Sequence, residues 1–255
     1  MREKSFVITE ENADEYIQKI GAFIRDVVAG ARRRGVVLGM SGGIDCSVVA
    51  RLCQVAGVPV KLLLMPDGED MRKTTSHRDA MELIDKFGFL YEVCDIGEAC
   101  RAVENHFDAL EMLSGINIRP RMRMIVLYAM AQNDSLFVIG TGNLAERLLG
   151  YFTKWGDGAN DLNPLGMVTK GEVRILAKHL GVPEAIMYKP ASAGLFEGQT
   201  DEEELGITYA QMDDYILRGS SGSAEADARI EARMAMSRHK LEPIRIFGAQ
   251  EMTAS

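Results

Sequence analysis

The chain has 255 residues, 47% hydrophobic and 26% charged, an ordinary globular composition with enough apolar residues for one large domain and a sizeable core. No apolar stretch reaches transmembrane length, and the start MREKSFVITE lacks the apolar core of a signal peptide, so the expectation is a cytoplasmic protein with no membrane partner. A formal net charge of −8 disfavours nucleic acid as the main ligand, since that partner selects a basic surface.

In chain order, Asn12-x-x-Glu15 reads as a capping box opening a helix, with Ile17, Ile20, Phe23, Ile24, Val27 and Val28 at helical spacing and Gly35 as the stop. The run Ala31-Arg32-Arg33-Arg34-Gly35 reads as the end of that helix, where cations complement the dipole. Strands are predicted at 36–40, 60–65, 89–94 and 135–140, separated by helical stretches. Such alternation predicts a doubly wound α/β domain, a parallel sheet of about five strands with helices on both faces. No internal repeat or linker divides the chain, so residues 1–255 are expected to form one domain. Ligands of such a sheet gather at the carboxyl ends of its strands, beside the point where the winding reverses.

The most informative segment lies at the end of the first strand: Ser41-Gly42-Gly43-Ile44-Asp45-Cys46-Ser47, between Val36-Val37-Leu38 and the helical pattern Val48, Val49, Leu52, Cys53. A glycine pair lets the backbone turn sharply and approach a ligand, and the free amides of the following helix supply donors to an anion such as phosphate. A tight strand-to-helix turn capped by Ser41 or Asp45 would leave the same local pattern. Neither G-x-x-x-x-G-K-[ST] nor G-x-G-x-x-G is present at this point. The form S-G-G-x-D resembles the pyrophosphate-binding loop of the ATP pyrophosphatases, which split ATP between its α and β phosphates. The four cysteines, Cys46, Cys53, Cys94 and Cys100, show no C-x-x-C spacing and read as reduced thiols.

After the fourth strand comes Gly140-Thr141-Gly142-Asn143-Leu144-Ala145-Glu146. Alone, Gly140-x-Gly142-x-x-Ala145 mimics a dinucleotide fingerprint, with Asp161 where an acid could take a ribose hydroxyl. It follows the fourth strand, however, instead of opening the first βαβ unit, so a nicotinamide-dependent dehydrogenase is a minor rival. The Met-rich stretch 122–130 reads as core or subunit interface. Segments 192–205 and 219–223, rich in Gly, Ser and acidic residues, read as surface loops or, for the first, a lid.

Taken together, the Ser41 loop, Arg121-Met122-Arg123-Met124, Gly140-Thr141…Glu146, Gly150-Tyr151-Phe152-Thr153-Lys154-Trp155-Gly156-Asp157-Gly158, Asn163-Pro164-Leu165, Thr169-Lys170, Glu204-Leu205-Gly206-Ile207-Thr208-Tyr209, Asp213-Asp214-Tyr215 and His239-Lys240 resemble the ammonia-dependent NAD synthetases over most of the chain. The resemblance implies an adenine nucleotide alpha hydrolase-like fold and the final step of NAD biosynthesis. The nicotinate carboxylate of deamido-NAD attacks the α-phosphorus of ATP, pyrophosphate leaves, and ammonia displaces AMP. It implies Mg²⁺ as cofactor and a homodimer, with free ammonia as nitrogen donor because no glutaminase domain is visible.

Residue by residue, the resemblance assigns Gly39, Met40, Ser41, Gly42, Gly43, Ile44, Asp45 and Cys46 to the ATP phosphates, joined by Thr141, Lys170 and Ser192. It assigns Asp45 and Glu146 to Mg²⁺, and Asp45 and Lys170 to the chemical step. Arg121, Lys154, Asp161, His239 and Lys240 match positions that bind deamido-NAD. Each has a plainer reading: Arg121, Glu146 and Lys154 as surface charges, Asp161 as a turn cap before Pro164, and His239 and Lys240 as partners of the dipole of a helix over about 224–238. Cys46 stands where the family has serine, Gly142-Asn143 where many relatives have Asp-His, and Ser192 where threonine is frequent. Another ATP pyrophosphatase, such as a GMP synthetase ATPase domain or a tRNA-modifying enzyme, would share only the first loop.

Overall fold

A computed structural model describes residues 6–68, 74–191 and 200–247. Its elements run α1 (Ala13–Gly30), β1 (Val36–Gly39), α2 (Ile44–Val55), β2 (Val60–Leu64), α3 (Thr75–Phe87), β3 (Tyr91–Val93), α4 (Gly97–Glu104), α5 (Met112–Ile116), α6 (Ile118–Asp134) and β4 (Phe137–Val138). They continue through α7 (Leu144–Leu149), α8 (Lys170–His179), α9 (Glu184–Met187), α10 (Asp201–Leu205), α11 (Tyr209–Arg218) and α12 (Ala224–Leu241).

All four strands are parallel, in the order β3-β2-β1-β4. The sheet, expected to hold about five strands, has four among the described residues, and beyond β4 comes one parallel bridge, Ile139 to Leu162. The strands obey a period of two. Val36, Leu38, Leu62 and Leu64 enter the core beneath α1, α2 and α8, while Val37, Leu63 and Val138 face the opposite layer with Ile96 and Cys100 of the α4 region and Ala131 of α6. Both faces are therefore covered along β1 and the end of β2, which is why these read as apolar runs, while the edge strand β3 is exposed. A third cluster, with Leu144, Leu149, Met212 and Ile230, joins α7, α11 and α12 beside the sheet.

Local details correct or refine these expectations. Asn12 is the residue before α1, but its side chain turns back: Oδ1 accepts from the Thr9 amide at 2.8 Å and Nδ2 donates to Val7 O, so no capping box forms with Glu15. Helix α1 stops at Gly30, and the arginine run follows it; the Arg33 guanidinium lies over the Phe137 ring. Segment 219–223 is a closed turn, since Asp227 accepts from Ser220 Oγ and the Ser221 amide while Ser223 caps α12. Helix α12 also runs to Leu241, which puts His239 and Lys240 inside its last turn. The Met-rich stretch lies within α6, whose inward face packs on the sheet while Ile125 stays exposed.

Candidate active site

Because β1 is flanked by β2 and β4, the winding reverses between β1 and β4, and the crevice opens at their carboxyl ends. The loop after β1 turns at Gly42, which has φ +75°; a Cβ there would lie 2.1 Å from Ser76 O of α3. Only glycine fits so close an approach in the left-handed region. Gly43 then caps α2, and Ile44, Asp45 and Cys46 form its first turn, where amides have no helical acceptor and the dipole favours an anion. Ser47 Oγ donates to Gly43 O at 2.7 Å, tightening that turn.

Cys46 points into the protein. Its Sγ donates to Gly43 O at 3.1 Å and lies 3.3 Å from Ser41 Oγ, and the residue is 3% exposed. Met40 and Ile44 are buried beside it.

Asp45, by contrast, faces the crevice and meets groups from two other loops. Lys170 Nζ sits 2.6 Å from Asp45 Oδ2 and 3.9 Å from Glu146 Oε1. Asn143 Nδ2 donates to Asp45 Oδ1 at 3.1 Å. The same asparagine caps α7 reciprocally: its Oδ1 accepts from the Glu146 amide, and its own amide donates to Glu146 Oε2 at 3.0 Å. Local capping therefore aims Glu146. Asn143, seen in the sequence only as a departure from Asp-His, thus bridges the two carboxylates.

Lys170 is 2% exposed, although it is the first residue of α8. Burial opposes its charge, but Asp45 and Glu146 outweigh burial and hold its pKa above the ordinary lysine value. Burial, then the charge on Asp45, push the Glu146 carboxyl well above the usual carboxylate range. The crevice favours additional positive charge. A neighbouring layer completes it: Tyr209 OH reaches Asp201 Oδ2 at 2.9 Å and Glu146 Oε1 at 3.4 Å, and the Tyr209 ring lies 4.8 Å from the ammonium. Tyr151 OH lies 3.2 Å from Asp201 Oδ1. The sequence reading gave Tyr209, Asp201 and Asp213 no role; the signal was the spacing Tyr209-x-x-x-Asp213, which sets both on one helix face.

Asp45 and Glu146 are hard oxygen donors that both face the Lys170 ammonium, and carboxylates from two separate loops are the donor type that Mg²⁺ takes. Among the described residues no group of three or more His, Cys, Asp or Glu forms a metal cage. A shared ion would take its remaining ligands from phosphate oxygens and water.

A second group gathers around the 150–158 segment. Lys154 Nζ donates to His239 O at 2.7 Å, Lys240 Nζ donates to Gly150 O and Phe152 O at 2.6 and 2.7 Å, and Arg121 Nη2 lies 3.5 Å from Lys154 O. Between them Trp155, 55% exposed, holds φ 62°, a strained backbone for so bulky a residue. Asp161 lies apart: its carboxylate accepts from the Val138 amide at 2.8 Å and from Tyr128 OH at 3.5 Å. Thr141 occupies the loop after β4. Ser192 falls outside the described residues, as do 193–199 of the expected lid; residues 201–205 form α10, opened by the Thr200 capping box.

Sequence and structure comparisons point to one family. The sequence model of the NAD synthase family matches residues 16–244. The NH(3)-dependent NAD(+) synthetase of Carboxydothermus hydrogenoformans is 40% identical over 242 residues, 90% of this chain and 95% of that protein. Among solved structures, an NMN synthetase from Francisella tularensis superposes with a TM-score of 0.86 at 38% identity, over 92% of this chain and 98% of that one. The NH3-dependent NAD synthetase of Campylobacter jejuni, solved with a nitrate ion, gives 0.77 at 31% identity over 92% and 99%. With a family match over residues 16–244 and relatives about 40% identical along nine-tenths of its length, the chain belongs to the NAD synthase family.

Proposed function

We propose that the protein forms an amide on deamido-NAD: a nicotinate carboxylate oxygen bonds to the α-phosphorus of ATP, the bond to the β-phosphate oxygen breaks and pyrophosphate leaves. Ammonia then bonds to the carbonyl carbon, AMP leaves and a proton is lost, giving NAD. The observation that carries this reading is the buried Lys170 ammonium held between Asp45 and Glu146 at the mouth of the Gly42 loop. Phosphoryl transfer asks chiefly for positioning and charge neutralisation.

In this reading the α2 amides and Ser41 receive the phosphates, Thr141 and Ser192 help hold ATP, and Lys170 offsets charge on the departing pyrophosphate. Asp45 and Glu146 would hold Mg²⁺, which supplies charge neutralisation for the phosphate oxygens. Arg121, Lys154, His239 and Lys240, with Asp161 at the strand end, form the deamido-NAD side. Relatives named NH(3)-dependent, matched over nine-tenths of the chain, support free ammonia as donor. One synthetase domain working in the cytoplasm is the simplest arrangement, and no described helix is long and apolar enough to cross a membrane. Exposed Met112, Leu113 and Ile125 on α5 and α6 support a second copy as partner, to be checked by light scattering.

The Francisella likeness favours one second reading, in which the same chemistry acts on the mononucleotide acid and yields NMN. A single assay separates them: purified protein with Mg-ATP, ammonium and either nicotinate adenine dinucleotide or nicotinate mononucleotide, with AMP and the amide quantified. NAD as the faster product is expected. Preference for the mononucleotide replaces the first reading by the second; ADP and phosphate, or no turnover with either acid, defeats both.

A further inference from the structure

We propose that Asp213 is a positioning residue for Lys170, acting through the main chain at the start of α8; the proposal rests on the ATP-using reading above. Lys170 has a long flexible stem whose freedom is costly to freeze, and it is the first residue of its helix. Where its ammonium sits against Asp45 therefore depends on where α8 begins.

That start is gripped from outside. Asp213 Oδ1 accepts from the Lys170 amide at 3.2 Å, and Oδ2 accepts from the Gly171 amide at 2.7 Å. The next amide, of Glu172, goes to Thr169 Oγ1, while the Thr169 amide donates to Glu172 Oε2 at 2.8 Å. The Thr169 and Glu172 pair shapes the turn, and Glu172 Oε1 accepts from the Ile8 amide at 2.8 Å, a tether to the segment before α1 that runs through the side chain and not through the Lys170 main chain. Asp213 belongs to α11 and, among the described residues, is the side chain that ties the first turn of α8 to another helix through two consecutive main-chain amides. A Cβ on residue 171 would lie 2.8 Å from Asp213 Oδ2, so glycine there permits the approach.

Helix α11 holds the other side of the crevice as well. Tyr209 is one turn before Asp213, and its hydroxyl reaches Asp201 and Glu146. One face of one helix thus fixes Lys170 through Asp213 and Glu146 through Tyr209. A shift of α11 moves both charges together, and removal of the Asp213 carboxylate releases only the lysine.

The test is a double-mutant cycle at pH 8 with Asp213→Asn, Lys170→Met and the double variant, reading the dissociation constant for Mg-ATP, kcat, both KM values and the melting temperature. For Asp213→Asn we expect kcat to fall about tenfold or more and ATP binding to weaken, with KM for the pyridine substrate changed less than about twofold. In the Lys170→Met background the same substitution should alter ATP binding by less than about twofold. Equal losses of ATP affinity in both backgrounds, or a kcat within about twofold of wild type, overturn the proposal. Should Asp213→Asn not fold, Gly171→Ala, which pushes the carboxylate away, enters the same cycle. The ATP-binding arm needs no pyridine substrate. A protein that binds ATP but amidates neither acid would sink the proposed reaction and still leave the Asp213 cycle readable.

Discussion

Lys170 Nζ lies 2.6 Å from Asp45 Oδ2, and the two residues are 125 positions apart, on the first turns of different helices. Asp45→Asn keeps the shape and the Asn143 neighbour but removes the charge. Loss of charge stabilisation at a developing pyrophosphate costs on the order of 10²–10³ in rate, and pyrophosphate release should fall by at least that much. Stability should fall by less than the roughly 3–5 kcal/mol expected for an orphaned buried charge, because Glu146 remains 3.9 Å from the ammonium. Denaturant melts and a pyrophosphate assay check both; turnover within about threefold of wild type would remove Asp45 from the chemistry.

Tyr209→Phe keeps the ring 4.8 Å from the ammonium while deleting the hydroxyl that serves Asp201 and Glu146. Burial first, then the charges of Glu146 and Asp201, push the phenol far up, so it remains a proton donor throughout the working range. Depriving buried acceptors of a donor costs about 1–3 kcal/mol, and Tyr151 still serves Asp201, which places the expected loss near the lower bound. Urea midpoints report it. An unchanged midpoint together with unchanged kcat would show the hydroxyl to be idle.

Burial raises the Asp213 carboxyl from 3.8 to about 6, even though two amides donate to it. The folded state therefore binds more protons than the unfolded chain between these values, and stability falls as pH rises. The contribution is complete below about pH 4 and lost above about pH 6, with an upper size on the order of 3 kcal/mol. Urea unfolding at intervals across this window should show wild type losing stability relative to Asp213→Asn as pH rises. Parallel curves would mean that Asp213 titrates normally.

Cys46→Ser should leave ATP affinity within about threefold, because the thiol is turned onto Gly43 O and Ser41 Oγ beneath the loop and the hydroxyl can take the same partners. Equilibrium titration with Mg-ATP decides. A tenfold gain in affinity would mean that this side chain touches phosphate after all.

The centre of the sheet was readable because β1 and the end of β2 are buried on both faces and the breaks around them fall at glycines and polar turns; Val36 to Leu38 and Leu62 to Leu64 needed no tertiary information. The Gly42 loop was readable for the same reason, as its chemistry is local. What escaped were preferences decided by distant partners. Asn12 has the right spacing for a capping box, yet its amide side chain serves Thr9 and Val7 instead. Asn143 looked like a lost acid and histidine, whereas it reaches back 98 residues to Asp45 while capping the helix of Glu146. Asp201 read as one charge in an acidic run; two tyrosine hydroxyls, one from α11 and one after α7, bury it. No local pattern encodes such convergence, since each partner is ordinary in its own sequence neighbourhood.

The contact between Gly42 and Ser76 O limits how the loop can be rebuilt. A saturation library over 41–47, selected only for folded protein, should return glycine at 42 almost without exception, because any Cβ there collides with the α3 backbone at 2.1 Å. At 43 a Cβ would meet Ser41 Oγ at 3.4 Å, an ordinary contact, so small residues should survive. Two glycines adjacent in sequence would then carry unequal information: the first locks a helix to the loop, and the second leaves room in which the loop can diversify.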